Sequence, residues 1–146
     1  MSDVTVAPVA AKKLLDFVID GVAMQAEDGQ TVIQAARANG VDIPHFCWHP
    51  QLSVPGNCRI CMVEIEQDSG DPWFDIACNM PVTAGMRVLT KSEKIKTLNQ
   101  DTMQFITLNH PVDCGVCNKS GECLLQDYHY ELNGAASKSR DPKTHA

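Results

Sequence analysis

Seven cysteines stand in a chain of 146 residues, and they fall into two groups, the second headed by a histidine. Cys47, Cys58, Cys61 and Cys78 are separated by ten, two and sixteen residues. His110, Cys114, Cys117 and Cys123 are separated by three, two and five. The two groups use every cysteine, so no thiol is left over. An odd number of cysteines, and no basic region followed by an apolar stretch after Met1-Ser2-Asp3-Val4, argue against a secreted disulfide scaffold. The expected setting is a reducing, cytosol-like compartment, where clustered thiolates are ligands for metals.

The first group has the composition a 2Fe–2S core needs, four thiolates with two on each iron. Cys58-Arg59-Ile60-Cys61 offers two sulfurs from one short loop, and Cys47 and Cys78 must arrive from flanking segments of a fixed scaffold. The backbone N–H groups of Gly56, Asn57 and Arg59 are expected to face the sulfurs, spreading their charge and raising the reduction potential. A Cys2His2 finger would need histidines about 12 residues beyond the C-x-x-C, and the next histidine is His110. A Rieske centre would need a histidine in its second pair, where Cys61 stands. The βαβ setting of a thioredoxin-like C-x-x-C is missing. A four-cysteine structural zinc stays open. His45 and His49 read as polar loop residues, and Trp48 as cover over the cluster or a core contact.

The second group suits a 4Fe–4S cube, in which four ligands each meet a different iron and a compact loop wraps the core. Pro111 stiffens the turn after His110. Gly115 and Gly121 are expected to allow a close backbone approach. Cys123 is expected in the first turn of a helix, where the dipole favours a thiolate. Neutral imidazole in place of a thiolate removes one negative charge and should raise the potential. A Cys3His zinc stays open here too. His129 and Tyr130 read as packing residues.

Composition narrows the remaining classes. Twelve basic against 18 acidic residues leave a net charge of −6, and no basic stripe suggests nucleic acid. The thiolate-bound clusters would bring the chain to about −9. No run of 18 apolar residues offers a membrane span. Rossmann fingerprint, P-loop and activated Ser/Cys–His pair are missing, so no nicotinamide, flavin or organic substrate has a place and no self-contained active site is read. Two one-electron carriers on one small chain read as a wire.

The elements that must position these ligands divide at about residue 91. Leu14–Ile19 and Val22–Ala26 read as strands joined by an Asp20-Gly21 hairpin turn. Thr31 caps a helix over Val32–Asn39, with Gly40 after it and Val32, Ala35, Ala36 and Ala38 as its apolar face. Met62–Glu66 alternates like a half-buried strand, and Trp73–Ala77 and Arg87–Leu89 are further strands. Thr90-Lys91-Ser92-Glu93 reads as a capping box for a helix to about Leu108, with Ile95, Leu98, Met103, Phe105 and Ile106 on its apolar spacing. Residues 109–121 read as loop, and a short helix follows from about Glu122 to Leu132. The expected architecture is α+β: a flexible leader at 1–13, a 2Fe–2S unit at 14–91 with one helix on a small mixed sheet, a small helical 4Fe–4S unit at 92–133, and a polar tail at 134–146.

Taken together, the first group and the run Asn109-His110-Pro111-Val112-Asp113-Cys114-Gly115-Val116-Cys117-Asn118-Lys119-Ser120-Gly121-Glu122-Cys123-Leu124-Leu125-Gln126-Asp127 resemble the N-terminal part of the large iron–sulfur subunit, G type, of bacterial NADH:quinone oxidoreductase. The resemblance runs from about Leu14 to about Tyr130. It implies a ferredoxin-like β-grasp domain with a 2Fe–2S cluster, then a small helical domain with a His/Cys3-ligated 4Fe–4S cluster, held by the eight ligands named above. It also implies partners: a flavin-bearing, NADH-oxidising subunit and other subunits of a complex on the cytoplasmic face of the inner membrane, relaying electrons from flavin towards quinone. The family continues with another four-cysteine cluster and a molybdopterin-enzyme-like domain, so this sequence is expected to be a fragment. The same two modules open iron-only hydrogenases, a subunit of NAD-reducing hydrogenases and some NAD-dependent formate dehydrogenases, which remain alternatives. So do a free-standing ferredoxin-like carrier and, in a different class, a structural zinc module for protein contacts.

Overall fold

Asp20 and Gly21 adopt φ of 48° and 82°, the paired left-handed conformation of a tight two-residue hairpin. In the computed structural model, which describes residues 13–132, that turn joins β1 (Leu14–Ile19) to β2 (Val22–Glu27), with Ile19 opposite Val22. The expected polar tail and all of the leader but Lys13 lie outside the described residues. Alternation sends Leu15, Phe17 and Ile19 inward. The Asp20 carboxylate accepts the Thr90 N–H at 2.7 Å, fastening the hairpin tip to the segment that leaves the sheet after Leu89.

Three more strands complete one mixed sheet: β3 (Met62–Glu66), β4 (Trp73–Ile76) and β5 (Arg87–Leu89). Their order is β2-β1-β5-β3-β4, with β5 parallel to β1 and the other pairs antiparallel. Helix α1 (Val32–Ala38) packs on the sheet, and Gln34 accepts the N–H of its cap residue Thr31 at 2.9 Å. Gly40, with φ 77°, follows the helix. The buried face is Val32, Ile33, Ala35 and Ala36, whereas Ala38 is exposed. This differs from the expected stripe by one residue. Ile33 and Ala38 flank the Val32, Ala35 and Ala36 face on opposite sides, and the core covers the Ile33 side. The main core then gathers Phe17, Ile19, Val63, Ile65 and Val88 from the sheet, with Trp48 from the loop after α1. Arg37 lies over the Trp48 ring at 5.6 Å.

Helix α2 (Glu93–Ile106) starts at Ser92, whose hydroxyl accepts the Ile95 N–H at 3.3 Å. The cap is therefore Ser92 and not Thr90, which is held by Asp20. The Ser92 hydroxyl also donates to Glu64. Alternation along β3 places Glu64 on the open face, yet it is buried with Val63 and Ile65. The positive end of α2 and the Ser92 hydroxyl offset its desolvation. Along α2 the buried positions are Ile95, Asn99 and Met103, while Phe105, expected inside, is 77% exposed. A one-turn 3-10 helix at Cys114–Val116 interrupts the expected loop, and α3 (Leu124–Glu131) closes the described chain. The mixed sheet with three α-helices is the expected α+β class.

Candidate metal centres

The strands and α1 bring the first four cysteines to one place from three segments. Cys47 sits in the irregular stretch between α1 and β3, Cys58 and Cys61 in the loop that leads into β3, and Cys78 just after β4. The β4 end is pinned on both sides: the Ala77 N–H donates to the Cys61 carbonyl at 2.8 Å, and the Ile33 N–H to the Ala77 carbonyl at 3.0 Å.

The sulfurs form two pairs. Cys47 is in hydrogen-bond reach of Cys58, and Cys61 of Cys78, while the cross-pair influence is through charge alone. Burial opposes ionisation of Cys47, but hydrogen bonds from Cys58 and the amides of Asn57 and Gly56 outweigh it and hold this thiol below its usual range. Sequence reasoning named Gly56 and Asn57 as amide donors; the third amide at Cys47 is Cys58's, not Arg59's. Cys61 and Cys78 are each 1% exposed. Burial pushes both thiols up, and the neighbouring sulfurs help push Cys78 up to about 12. Four sulfurs this close cannot all carry charge unless a cation sits among them. No three His, Cys, Asp or Glu side chains among the described residues are gathered tightly enough for a single ion. Two separate pairs, one partly preorganised by amides, suit a core of two irons.

Backbone conformation supports this loop. Arg59 has φ 60° and Gly56 φ 66°. A Cβ on Gly56 would meet Ile76 Cδ1 at 3.0 Å. Gly56→Ala is expected to cost about 1–2 kcal/mol through the left-handed backbone, visible as a melting temperature lower by about 3–8 °C. It should also turn one amide away from Cys47, so cluster content after anaerobic purification should fall with the melting point.

The second group converges on a cavity of about 640 Å³, whose wall includes all four of His110, Cys114, Cys117 and Cys123. That volume accommodates a cofactor-sized group rather than a lone ion. Cys114 opens the 3-10 turn, and Cys123 caps α3 rather than standing in its first turn. As the cap residue, Cys123 precedes helix amide groups that have no partner within the helix, and its side chain makes no capping hydrogen bond. The Lys119 N–H reaches the Cys117 sulfur at 3.5 Å. The Gly121 N–H donates to the Gln126 side chain at 2.8 Å and ties the loop to α3. Gly121 is required for its φ of 84°; neither it nor Gly115 is crowded, so close approach is not what selects glycine there. Val112 holds φ 54°, an uncommon state for a β-branched residue, directly after Pro111. His129, read from sequence as packing, lines the cavity with Lys119 and Gln126. It stands about one turn beyond Gln126, which lines the same cavity, and its spacing from Cys123 gave no signal of this. His45 and His49 make loop contacts: His45 Nδ1 lies 2.7 Å from the Ile43 carbonyl, and His49 Nδ1 accepts the Gln51 N–H at 3.2 Å.

Comparison with known proteins agrees with both halves. The profile of the 2Fe-2S iron-sulfur cluster binding domain matches residues 12–93, and that of the NADH-ubiquinone oxidoreductase-G iron-sulfur binding region matches residues 100–137. The two domains indicate one 2Fe–2S and one 4Fe–4S cluster. The G-type subunit of NADH-quinone oxidoreductase from Rickettsia prowazekii (strain Madrid E) is 37% identical over 130 residues, covering 89% of this chain and 19% of the relative. Its counterpart from Rickettsia felis is 38% identical over 125 residues, covering 86% and 18%. The chain thus spans about a fifth of these relatives. Among solved structures, an NAD+-reducing NiFe-hydrogenase in the H2-reduced state superposes with a TM-score of 0.79 at 32% identity, over 90% of this chain and 54% of that one. No helix among the described residues is long and apolar enough to cross a membrane.

Proposed function

We propose, because the chain belongs to the 2Fe-2S iron-sulfur cluster binding domain family, that it is the two-cluster electron-transfer module of a G-type subunit of NADH-quinone oxidoreductase. In this reading Cys47, Cys58, Cys61 and Cys78 hold the 2Fe–2S cluster, and His110, Cys114, Cys117 and Cys123 hold the 4Fe–4S cluster. The single observation that carries it is the convergence of both ligand sets, one as two sulfur pairs and one around a single cavity. The clusters supply one-electron storage. The chain's own residues ligate them, spread their charge through amides, remove one negative charge through an imidazole, and keep water from the inner pair, Cys61 and Cys78. Residues 14–91 form the first functional unit and 92–133 the second.

Its partners are a flavin-bearing, NADH-oxidising subunit and the other subunits of a membrane-associated complex, on whose cytoplasmic side the module sits as a peripheral part. Electrons pass singly from the flavin side towards quinone. The hydrogenase likeness favours a second reading, the same module serving an NAD-reducing hydrogenase. Anaerobic purification with metal and sulfide analysis tests the core of both: about six irons and six sulfides per chain are expected, with two distinct EPR signals on reduction. Stoichiometric zinc without sulfide would overturn it. Purification from the native source then separates the parents: NADH-dependent quinone reduction supports the first, H2-dependent NAD+ reduction the second.

A further inference from the structure

Ile60, Met103 and Tyr128 form a small core apart from the main one, 0%, 1% and 4% exposed, with Phe46, Cys58, Leu125 and Leu132 packed on it. Its members come from both sites. Ile60 stands between Cys58 and Cys61, and Phe46 precedes Cys47. Leu125 also lines the second cavity. Tyr128 lies on α3, the helix capped by Cys123. Its hydroxyl accepts the His45 N–H at 3.4 Å, and its ring meets Phe46 edge-on at 5.3 Å. One side chain carried by the second ligand set therefore packs against both loop segments that bring Cys47, Cys58 and Cys61 together.

We propose that Tyr128 is a positioning residue for the first cluster, and that through α3 the filling of the second site governs how firmly the first is held. The proposal rests on the ligand assignment above. The physical route is short. Arg59 is held at φ 60° beside Ile60, a state that persists only where surrounding packing fixes it. Ile60 is fixed by burial against the Met103 and Tyr128 core. When α3 loses its anchor at Cys123, Tyr128 loosens, Ile60 is freed, and Arg59 relaxes to negative φ. The amides of the Gly56–Cys58 stretch then turn away from Cys47. The coupling is a local opening equilibrium shared by two sites.

The test uses the full chain with both clusters reconstituted and reads the 2Fe–2S cluster alone. Tyr128→Leu should keep the 4Fe–4S content, shift the g values of the reduced 2Fe–2S signal, and speed its loss to a chelator by about five- to thirty-fold. Tyr128→Phe restores the ring and should recover most of the lifetime, while Tyr130→Phe, on the exposed side of α3, should change neither readout. Cys117→Ala, which empties the second site, should reproduce the Tyr128→Leu change. A folded Tyr128→Leu protein with unaltered g values and lifetime overturns the proposal. If Tyr128→Leu fails to fold, Cys117→Ala decides by itself: an unaltered 2Fe–2S signal overturns the proposal and a shifted, shorter-lived one supports it. Absence of any 2Fe–2S signal from the unsubstituted chain would sink the ligand assignment and this inference together, and is seen before any substitution is made.

Discussion

Cys61→Ala is expected to abolish the 2Fe–2S cluster, lowering iron from about six to about four per chain, while the 4Fe–4S signal survives. Two features make this the severest single change in the first unit. The thiol is 1% exposed and in hydrogen-bond reach of Cys78. A ligand set assembled from three segments also contributes its binding energy to folding, and that contribution goes with the metal. The remaining thiols would then sit without a cation among them, and burial would keep Cys78 protonated. Iron and sulfide analysis beside EPR at two temperatures checks the outcome. Six irons retained in Cys61→Ala would rule out Cys61 as a ligand.

The second large effect concerns charge rather than occupancy. His110→Cys should keep the 4Fe–4S cluster and lower its midpoint potential by an amount on the order of 100–300 mV, the scale implied per ligand when imidazole and thiolate exchange in other clusters. The fourth ligand becomes an anion, which favours the oxidised core. His110→Ala leaves an iron without a protein ligand, and its iron content should fall. An EPR-monitored redox titration reads both. An unmoved potential in His110→Cys would mean that the imidazole lies outside the ligand set, although it lines the same cavity as Cys114, Cys117 and Cys123.

Local signals make much of this molecule readable from its residues. Strands β1 and β5 lie where alternation puts them, because each buries one face and a one-residue slip would expose it. Asp20-Gly21 is legible because few residue pairs tolerate two successive positive φ values. The ligand groups stand out because cysteine has few other uses in a reducing compartment. What stays hidden depends on partners distant in sequence. Glu64 is buried only because the start of α2, 28 residues on, covers it. Ile60 looks like a spacer between two cysteines, and nothing nearby shows that it anchors on Met103 and Tyr128. Periodicity assigns Phe105 inward, but the buried stripe runs Ile95, Asn99, Met103, and Phe105, two residues past Met103, points to the opposite side of α2. His129 enters the second cavity because α3 folds back along the ligand loop.

The shortest strand has the widest consequence. β5 lies between β1 and β3, so the two halves of the sheet meet only through Arg87–Leu89. All four thiols of the first group are polymerised before that strand exists. At synthesis rates of about 5–20 residues per second, the ribosome needs roughly a second to travel from Cys78 to Leu89. During that interval the sulfurs ride on a nascent chain that cannot yet enclose them, open to oxidants and to stray metals. Faithful maturation of this domain therefore depends on the redox state of the translating cell, and iron delivery belongs after β5 has joined the sheet.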